Sequence, residues 1–223
     1  VFISFFSVES VTAPTDKWVS VGIDNYIKIW QNNAFRVSMF NIFKVWLIGG
    51  AIVLSISLLF AVILTSGVRF KSFWRAAIYL PNVISAVALA TMWLQFVFQQ
   101  KYGLINGFFK AIGAESLAKI NWLSSDMKFW AMLIAFCFGS VGYYMLIFLS
   151  GIERIPEEYY EAATIDGASK WKQFTNVTMP LLKGVFKTNL TFWSINTVMF
   201  FVWSKMFSPL TSEESTITPV VYM

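Results

Sequence analysis

Histidine is absent from the 223-residue chain, and cysteine occurs once, as Cys137. The first absence removes His-based general-base catalysis, Ser–His triads and His-ligated metal sites. The second excludes a disulfide scaffold and leaves Cys137 as inert packing. Charge is scarce as well. Only 13% of residues are charged, against about 25% in soluble domains. Apolar residues make up 57%, so a soluble fold of this length would have too few charges to cover its surface. Low-complexity disorder is excluded by 23 Phe and 10 Trp. The net charge of +5 includes no Lys/Arg run, so it reads as membrane flanking and no nucleic-acid partner is expected.

What is present is a series of long uncharged runs. Val45–Val68 has 24 residues, Ala76–Gln100 has 25, Phe129–Ile152 has 24 and Thr188–Ser204 has 17. A spanning helix needs about 20 residues to cross a ~30 Å hydrocarbon core. The first three runs qualify, and the fourth does once Lys183 and Lys187 snorkel and Pro180 opens the helix. The expected fold is therefore all-α and polytopic, with at least four complete spans. Val1–Ser7 resembles the tail of an earlier span and Thr218–Met223 the start of a later one. Residues 1–223 are accordingly expected to be a single transmembrane domain truncated at both ends, with about six spans in the intact protein. The Ser66–Arg75 turn carries Arg69, Lys71 and Arg75. The positive-inside rule puts it in the cytoplasm, with Lys101–Lys128 outside and Glu153–Lys187 inside. Trp30, Trp74, Trp122, Trp130 and Trp203 fall near expected span ends, as interfacial aromatics do.

The polar stretch 153–180 reads as two short helices around a hinge. Pro156 suits a first turn, Glu157 and Glu158 complement its dipole, Gly167 fits a helix end, and Ser169 can cap a restart. Trp171 and Phe174 stand at i and i+3 on one face of a loop in water. Docking onto another protein and folding onto the membrane surface are both open on the residues alone.

Within this stretch lies Glu161-Ala162-Ala163, three residues, Gly167, nine residues, then Val177-Thr178-Met179-Pro180. This resembles the E-A-A…G…I-x-L-P signature of the permease subunits of bacterial binding-protein-dependent ABC importers, with Val for Ile and Met for Leu. Gly22-Ile23-Asp24-Asn25-Tyr26, Tyr79-Leu80-Pro81 and Tyr102-Gly103-Leu104-Ile105-Asn106 resemble patterns of the carbohydrate-uptake type. Ser208–Glu214 departs from a Gly-Gly-Pro turn common there. The resemblance implies a type I importer permease fold in the bacterial cytoplasmic membrane. It also implies a cytoplasmic coupling loop at 153–180 that docks on separate ATPase subunits, with Glu161, Ala162, Ala163, Asp166, Gly167, Trp171, Phe174 and Pro180 as its residues. A second, paralogous permease and an extracytoplasmic solute-binding protein are the further partners implied, with a sugar or oligosaccharide as substrate. The chain has no G-x-x-x-x-G-K-[ST] loop. ATP and Mg are therefore expected on the partner ATPase, with no cofactor or metal and no catalytic residue in this chain.

Polar and aromatic groups at mid-membrane are costly against lipid and so mark a path or a helix contact. Asn189, Trp193, Asn196 and Phe200 follow helical spacing, with Thr197 at their border. Ser140, Tyr143 and Tyr144 lie within about one turn, and Asn82, Ser85 and Gln95 are candidates in the second run. An amide beside an aromatic plane suits a sugar's hydroxyls and ring face. Ser140, Tyr143, Asn189, Trp193, Asn196 and Thr197 are the expected path residues. The uncharged runs hold no Asp or Glu, which disfavours an ion-coupled carrier. A permease for a polyol, glycerol phosphate or amino acid is the nearest alternative, and a polytopic membrane enzyme a more distant one.

Overall fold

The computed structural model describes residues 2–7, 18–209 and 213–223. The chain opens on a 3-10 turn (Phe2–Phe5) and a two-stranded antiparallel pair, β1 (Phe6–Ser7) with β2 (Val19–Ser20), Phe6 opposite Ser20. The apolar Phe2–Ser7 segment expected as the tail of a span is thus a turn and a strand. Asn25 explains the docking: its Nδ2 donates to the Ser4 and Phe6 carbonyls, both at 3.0 Å.

Helices follow: α1 (Asp24–Gln31), α2 (Asn33–Thr65), α3 (Lys71–Val83), α4 (Ala86–Val97), α5 (Leu104–Ala111), α6 (Glu115–Ala118) and α7 (Lys128–Ile152). The remainder are α8 (Glu157–Ile165), α9 (Lys170–Gln173), α10 (Lys183–Val198), α11 (Phe201–Phe207) and α12 (Pro219–Tyr222). Among the described residues, α2 and α7 are long and apolar enough to cross a membrane, and α3 with α4 make a pair bent by 97° that is either one broken span or a re-entrant loop. That is two or three such segments against the four complete spans expected, because the second and fourth uncharged runs are each divided. Asn32 caps α2, accepting from Ala34 and Phe35 amides, so the helix starts well before the charge at Lys44. The 33 residues of α2 reach about 50 Å at 1.5 Å per residue. The charge at Lys44 therefore marks the hydrocarbon edge and not the helix end. Its ammonium lies 4.5 Å from the centroid of the Phe129 ring.

The second uncharged run holds a break that its length concealed. Pro81 lies inside α3, where it removes a backbone donor. Ile84 is extended, and Ser85 caps α4 by accepting the Ala88 amide at 3.2 Å. Asn82 donates to the Gly139 carbonyl at 3.3 Å, so Asn82 and Ser85 hold backbone. The fourth run divides at Met199–Phe200, between α10 and α11. No Gly or Pro causes this division. Phe200 is buried and meets Phe136 edge-on at 4.7 Å, and its carbonyl accepts the Thr218 hydroxyl at 3.4 Å.

The central helix is α7, covered by α2, α3 and α10. Small residues set these contacts. Ser57 of α2 donates to the Val141 carbonyl at 2.8 Å. On the other face, a Cβ at Gly142 would lie 2.4 Å from the Ile78 carbonyl oxygen and 2.6 Å from Tyr79 Cα. Only glycine lets the α3 backbone approach so closely, as small residues do between membrane helices. Gly142→Ala must push α3 outward at a cost of about 1–3 kcal/mol. A lower unfolding midpoint in detergent is the expected result. Gly107→Ala, which would meet nothing within 4 Å on an exposed helical position, should leave the midpoint unchanged or slightly raised, and equal midpoints for the two variants would refute this packing.

One end of the bundle is tied by Asn41, whose amide donates to the Glu214 and Ile217 carbonyls, and by the Lys128–Glu213 ion pair at 2.6 Å. There Asn106, in the Tyr-Gly-Leu-Ile-Asn pattern, accepts the Trp122 indole N–H at 2.9 Å. The opposite end carries the Lys71–Glu153 ion pair at 2.6 Å and the α8–α9 hairpin. Residues 210–212, within the Ser208–Glu214 departure, lie outside the described residues, as does Val1.

Candidate functional site

The hairpin grows directly from the end of α7. Pro156 is extended and caps α8, with Glu157 and Glu158 in the first turn where the dipole favours them. The capping Pro thus sits one position before the expected first turn. Asp166 closes α8, and Gly167 follows with φ +73°. The Gly167 amide donates to the Thr164 carbonyl at 3.0 Å and the Ala168 amide to the Ala163 carbonyl at 2.8 Å. This pair of bonds is the Schellman helix end, which needs a left-handed residue after the cap. The Glu-Ala-Ala…Gly spacing is therefore a local structural rule: Ala163 supplies the terminal acceptor and Gly167 the reversal. Ser169 then caps α9, accepting the Lys172 amide at 3.4 Å.

Beyond α9 the chain continues through a π-helical turn, Phe174–Thr178, and a short helix, Met179–Leu181, with Pro180 in its first positions. Two side-chain contacts close the hairpin. Tyr160 and Thr178 hydroxyls meet at 2.9 Å, and Gln173 Nε2 donates to Thr164 Oγ1 at 2.9 Å and to the Ala168 carbonyl at 3.2 Å. Gln173 is 4% exposed. It escaped the sequence reading because nothing local marks a polar residue as buried.

The outward surface carries large apolar side chains among charged ones. Ile165 is 86% exposed and Trp171 71%, with Trp171 and Phe174 rings 5.6 Å apart. Glu161, Ala162, Asp166 and Gly167 are exposed, and Ala163 is half-buried. Large exposed apolar side chains on a capped hairpin form a patch of the kind that meets a partner protein or a membrane surface. Behind the hairpin is a cavity of about 980 Å³, lined by residues that include Lys71, Glu153, Arg154, Tyr160 and Gln173.

The expected path residues are distributed between two environments. Asn189, Trp193, Thr197 and Phe200 are the residues of α10 and the following break that turn inward and are fully buried, while Asn196 is exposed. The inward stripe thus runs through Thr197, one residue from the expected Asn196, because packing selects between two helical spacings that both fit. Trp193 lies against the Gly49–Gly50 backbone of α2, where a Gly50 Cβ would be 2.6 Å from its indole nitrogen. Its N–H donates to the Trp46 carbonyl at 2.8 Å, within the π-helical turn Val45–Gly49. Thr197 donates to the Trp193 carbonyl and Ser140 to the Phe136 carbonyl, each at 2.8 Å. Asn189 Nδ2 reaches the Tyr144 carbonyl at 3.4 Å. Asn189 Oδ1 is buried without a hydrogen-bond partner among the described residues, and the buried Tyr144 hydroxyl has Asn196 as its polar neighbour, outside ordinary hydrogen-bond geometry. Tyr143 is half-buried, with Phe192 at 6.2 Å between ring centroids, and Gln95 is exposed on α4. No cluster of His, Cys, Asp or Glu able to hold a metal occurs among the described residues.

Residues 53–209 match the family model described as "Binding-protein-dependent transport system inner membrane component". The chain is 33% identical over 202 residues to the "Probable ABC transporter permease protein YesP" of Bacillus subtilis (strain 168), covering 90% of this chain and 63% of that protein. It is 27% identical to the "Diacetylchitobiose uptake system permease protein NgcF" of Streptomyces coelicolor, covering 85% of this chain and 56% of that protein. With the "Trehalose/maltose transport system permease protein MalF" of Thermococcus litoralis it shares 29% identity, over 81% of this chain and 60% of that protein. The chain therefore spans about three fifths of the length of these relatives. In fold it is similar to a chain of a bacterial ABC transporter involved in the import of the acidic polysaccharide alginate, with TM-score 0.80 and 19% identity, covering 93% of this chain and 72% of that one. The matched region contains α7, the hairpin and α10, and the chain belongs to the binding-protein-dependent transport system inner membrane components.

Proposed function

We propose that the chain is the membrane-spanning subunit of an ATP-driven importer, and that it passes a sugar or oligosaccharide through the bacterial cytoplasmic membrane by alternating access. The observation that carries this reading is the hairpin: a capped α8–α9 turn that exposes Ile165 and Trp171 at the end of the long apolar helix α7. It is the coupling element, on the cytoplasmic side, and docks on a separate ATPase subunit that binds ATP and Mg. Glu161, Ala162, Ala163, Asp166 and Gly167 form its first arm and turn. Trp171, Phe174 and Pro180 lead from the docking face to α10. A second, paralogous permease completes the path, and an extracytoplasmic solute-binding protein delivers the substrate.

The substrate class is supported by the names of relatives that take up diacetylchitobiose and trehalose or maltose. A similar fold is seen in a chain of the alginate transporter solved with an alginate pentasaccharide-bound periplasmic protein, with TM-score 0.77 and 20% identity. The path runs along α7 and α10. Tyr143 and Asn196, the accessible pair, touch the solute. Ser140, Asn189, Trp193 and Thr197 stand behind them and hold the two helices in register.

Affinity capture of the intact permease from native membranes in mild detergent tests this reading. An ATPase subunit, a second permease and a solute-binding protein are the expected companions, and a ligand screen of the binding protein should return a carbohydrate. Recovery of the chain without an ATPase would refute the docking role of the hairpin. An amino-acid or phosphate-ester ligand on the binding protein would refute the substrate class alone.

A further inference from the structure

We infer that Gln173 is the positioning residue that makes the hairpin a single lever, and that its bond to Thr164 fixes the angle at which the docking face is presented to the ATPase. This rests on the coupling role proposed above. The two arms of the hairpin meet at a turn whose reversal is set by the backbone bonds of the Gly167 and Ala168 amides. A Schellman turn sets the reversal of the chain, and the following cap at Ser169 contributes one 3.4 Å bond. Neither fixes the second arm against the side of the first. Gln173 does, because its single amide spans three pieces of the hairpin. Nε2 donates to Thr164 Oγ1 on α8 and to the Ala168 carbonyl in the turn, and Oε1 accepts from Lys170 Nζ at 3.3 Å on its own arm. Thr164 in turn donates its hydroxyl hydrogen to the Tyr160 carbonyl at 2.7 Å, which leaves its oxygen oriented to accept from Gln173. The chain of bonds is directional: Gln173 to Thr164 to Tyr160.

The position of Gln173 gives that bond its consequence. It is buried, two residues after Trp171 and immediately before Phe174. The π-helical turn Phe174–Thr178 begins at the next residue and leads to α10. A push on Trp171 is thus transmitted to α10 through a segment whose near end is pinned by Gln173 and whose far end is pinned by Thr178 to Tyr160 at 2.9 Å. Without the Gln173 pin the docking face can tilt while the ATPase closes, and hydrolysis proceeds with less movement of α10. Gln173 touches neither solute nor nucleotide. Its effect is on the efficiency of transmission.

The test uses the assembled transporter, with the intact permease carrying Gln173→Met, which keeps side-chain length and removes both hydrogen-bonding functions. The quantity read is solute transported per ATP hydrolysed in proteoliposomes, normalised to co-purified ATPase. The expected result is a fall of about fivefold or more in that ratio, about what the loss of the bond to Thr164 alone is worth, with ATP hydrolysis per complex retained. The bonds to Ala168 and from Lys170 go with it and add to the fall. A residue that serves only stability would instead reduce the amount of complex and leave the ratio unchanged, and that outcome overturns the inference. Thr164→Val removes the acceptor, together with the hydroxyl's own bond to the Tyr160 carbonyl one turn back, and should reproduce the lower ratio. The double variant should be no worse than Gln173→Met, since both break the same bond. If Gln173→Met yields no complex, the ratio for Thr164→Val decides: a wild-type value refutes the role of the pin. If the unaltered permease captures no ATPase, the coupling reading falls and this inference falls with it.

Discussion

Replacing Trp193 by alanine is expected to cost about 3–5 kcal/mol, the range for deleting a large aromatic from a packed interior. The indole is fully buried and its ring lies over the Gly49–Gly50 backbone, with Phe136 and Tyr144 at 5.4 and 5.7 Å between centroids. Its removal leaves a cavity between α2, α7 and α10 and strips the Trp46 carbonyl of its indole donor. The apparent unfolding midpoint of the detergent-solubilised complex should drop sharply, and uptake should fall in proportion to the complex lost. Gly50→Ala supplies a control with an unusual sign. Alone it is destabilising, because its Cβ would lie 2.6 Å from the indole nitrogen. Added to Trp193→Ala it occupies vacated space, so the double variant should be more stable than the sum of the single changes predicts. Additive losses would mean that the two sites do not share this contact. A Trp193→Ala complex with an unchanged midpoint and reduced uptake would place the indole on the path and not in the packing.

The same residue shows why part of the site was legible in the sequence and part was not. Trp193 stood out as an aromatic at mid-membrane, which is a local property. That it packs on glycine depends on Gly49 and Gly50, which lie more than a hundred positions away in the chain and read only as small residues in an apolar run. The inward stripe on α10 passes through Thr197 and not Asn196 for a similar reason. Spacing of three or four residues both satisfy a helix, and only the neighbouring helices decide between them. The spans themselves were legible where charge and hydropathy coincide, as in α7. They were obscured where they do not. Lys44 lies within α2 because its ammonium can rest on aromatic faces, and the α3–α4 break hides in a run with no charge. Its signals, Pro81 and Ser85, are visible as residue types, but Pro81 enters only through the Tyr79-Leu80-Pro81 resemblance and Ser85 only as a candidate for the path. The division at Met199–Phe200 has no such signal, since it depends on contacts with Phe136 and Thr218. The hairpin, by contrast, was legible almost completely. Caps and left-handed turns are set by residues within one or two turns of each other, so their spacing survives in the sequence.

That locality makes Gly167 the position where one substitution should silence transport and leave the membrane fold intact. Its φ is +73° and a Cβ there would meet nothing within 4 Å. Any penalty is therefore conformational and not a clash. For a β-branched residue the left-handed conformation costs about 1–2 kcal/mol, which shifts the balance between the native turn and its alternatives by about five- to thirtyfold. In those alternatives the Ala168 amide loses the Ala163 carbonyl, the two arms open, and Trp171 no longer presents beside α8. Gly167→Val is expected to reduce uptake to about a tenth or less, to weaken ATPase capture, and to leave insertion and the α2–α7 packing unchanged. The graded series is the sharper measurement. Asparagine tolerates the left-handed region better than alanine, and alanine better than valine. Uptake should rank Gly, Asn, Ala, Val if the turn itself is what matters. A series ordered by side-chain volume, with asparagine below alanine, would show that the ATPase groove excludes bulk at this position and that the reversal of the chain survives substitution. Wild-type uptake by Gly167→Val would remove the hairpin turn from the coupling path altogether.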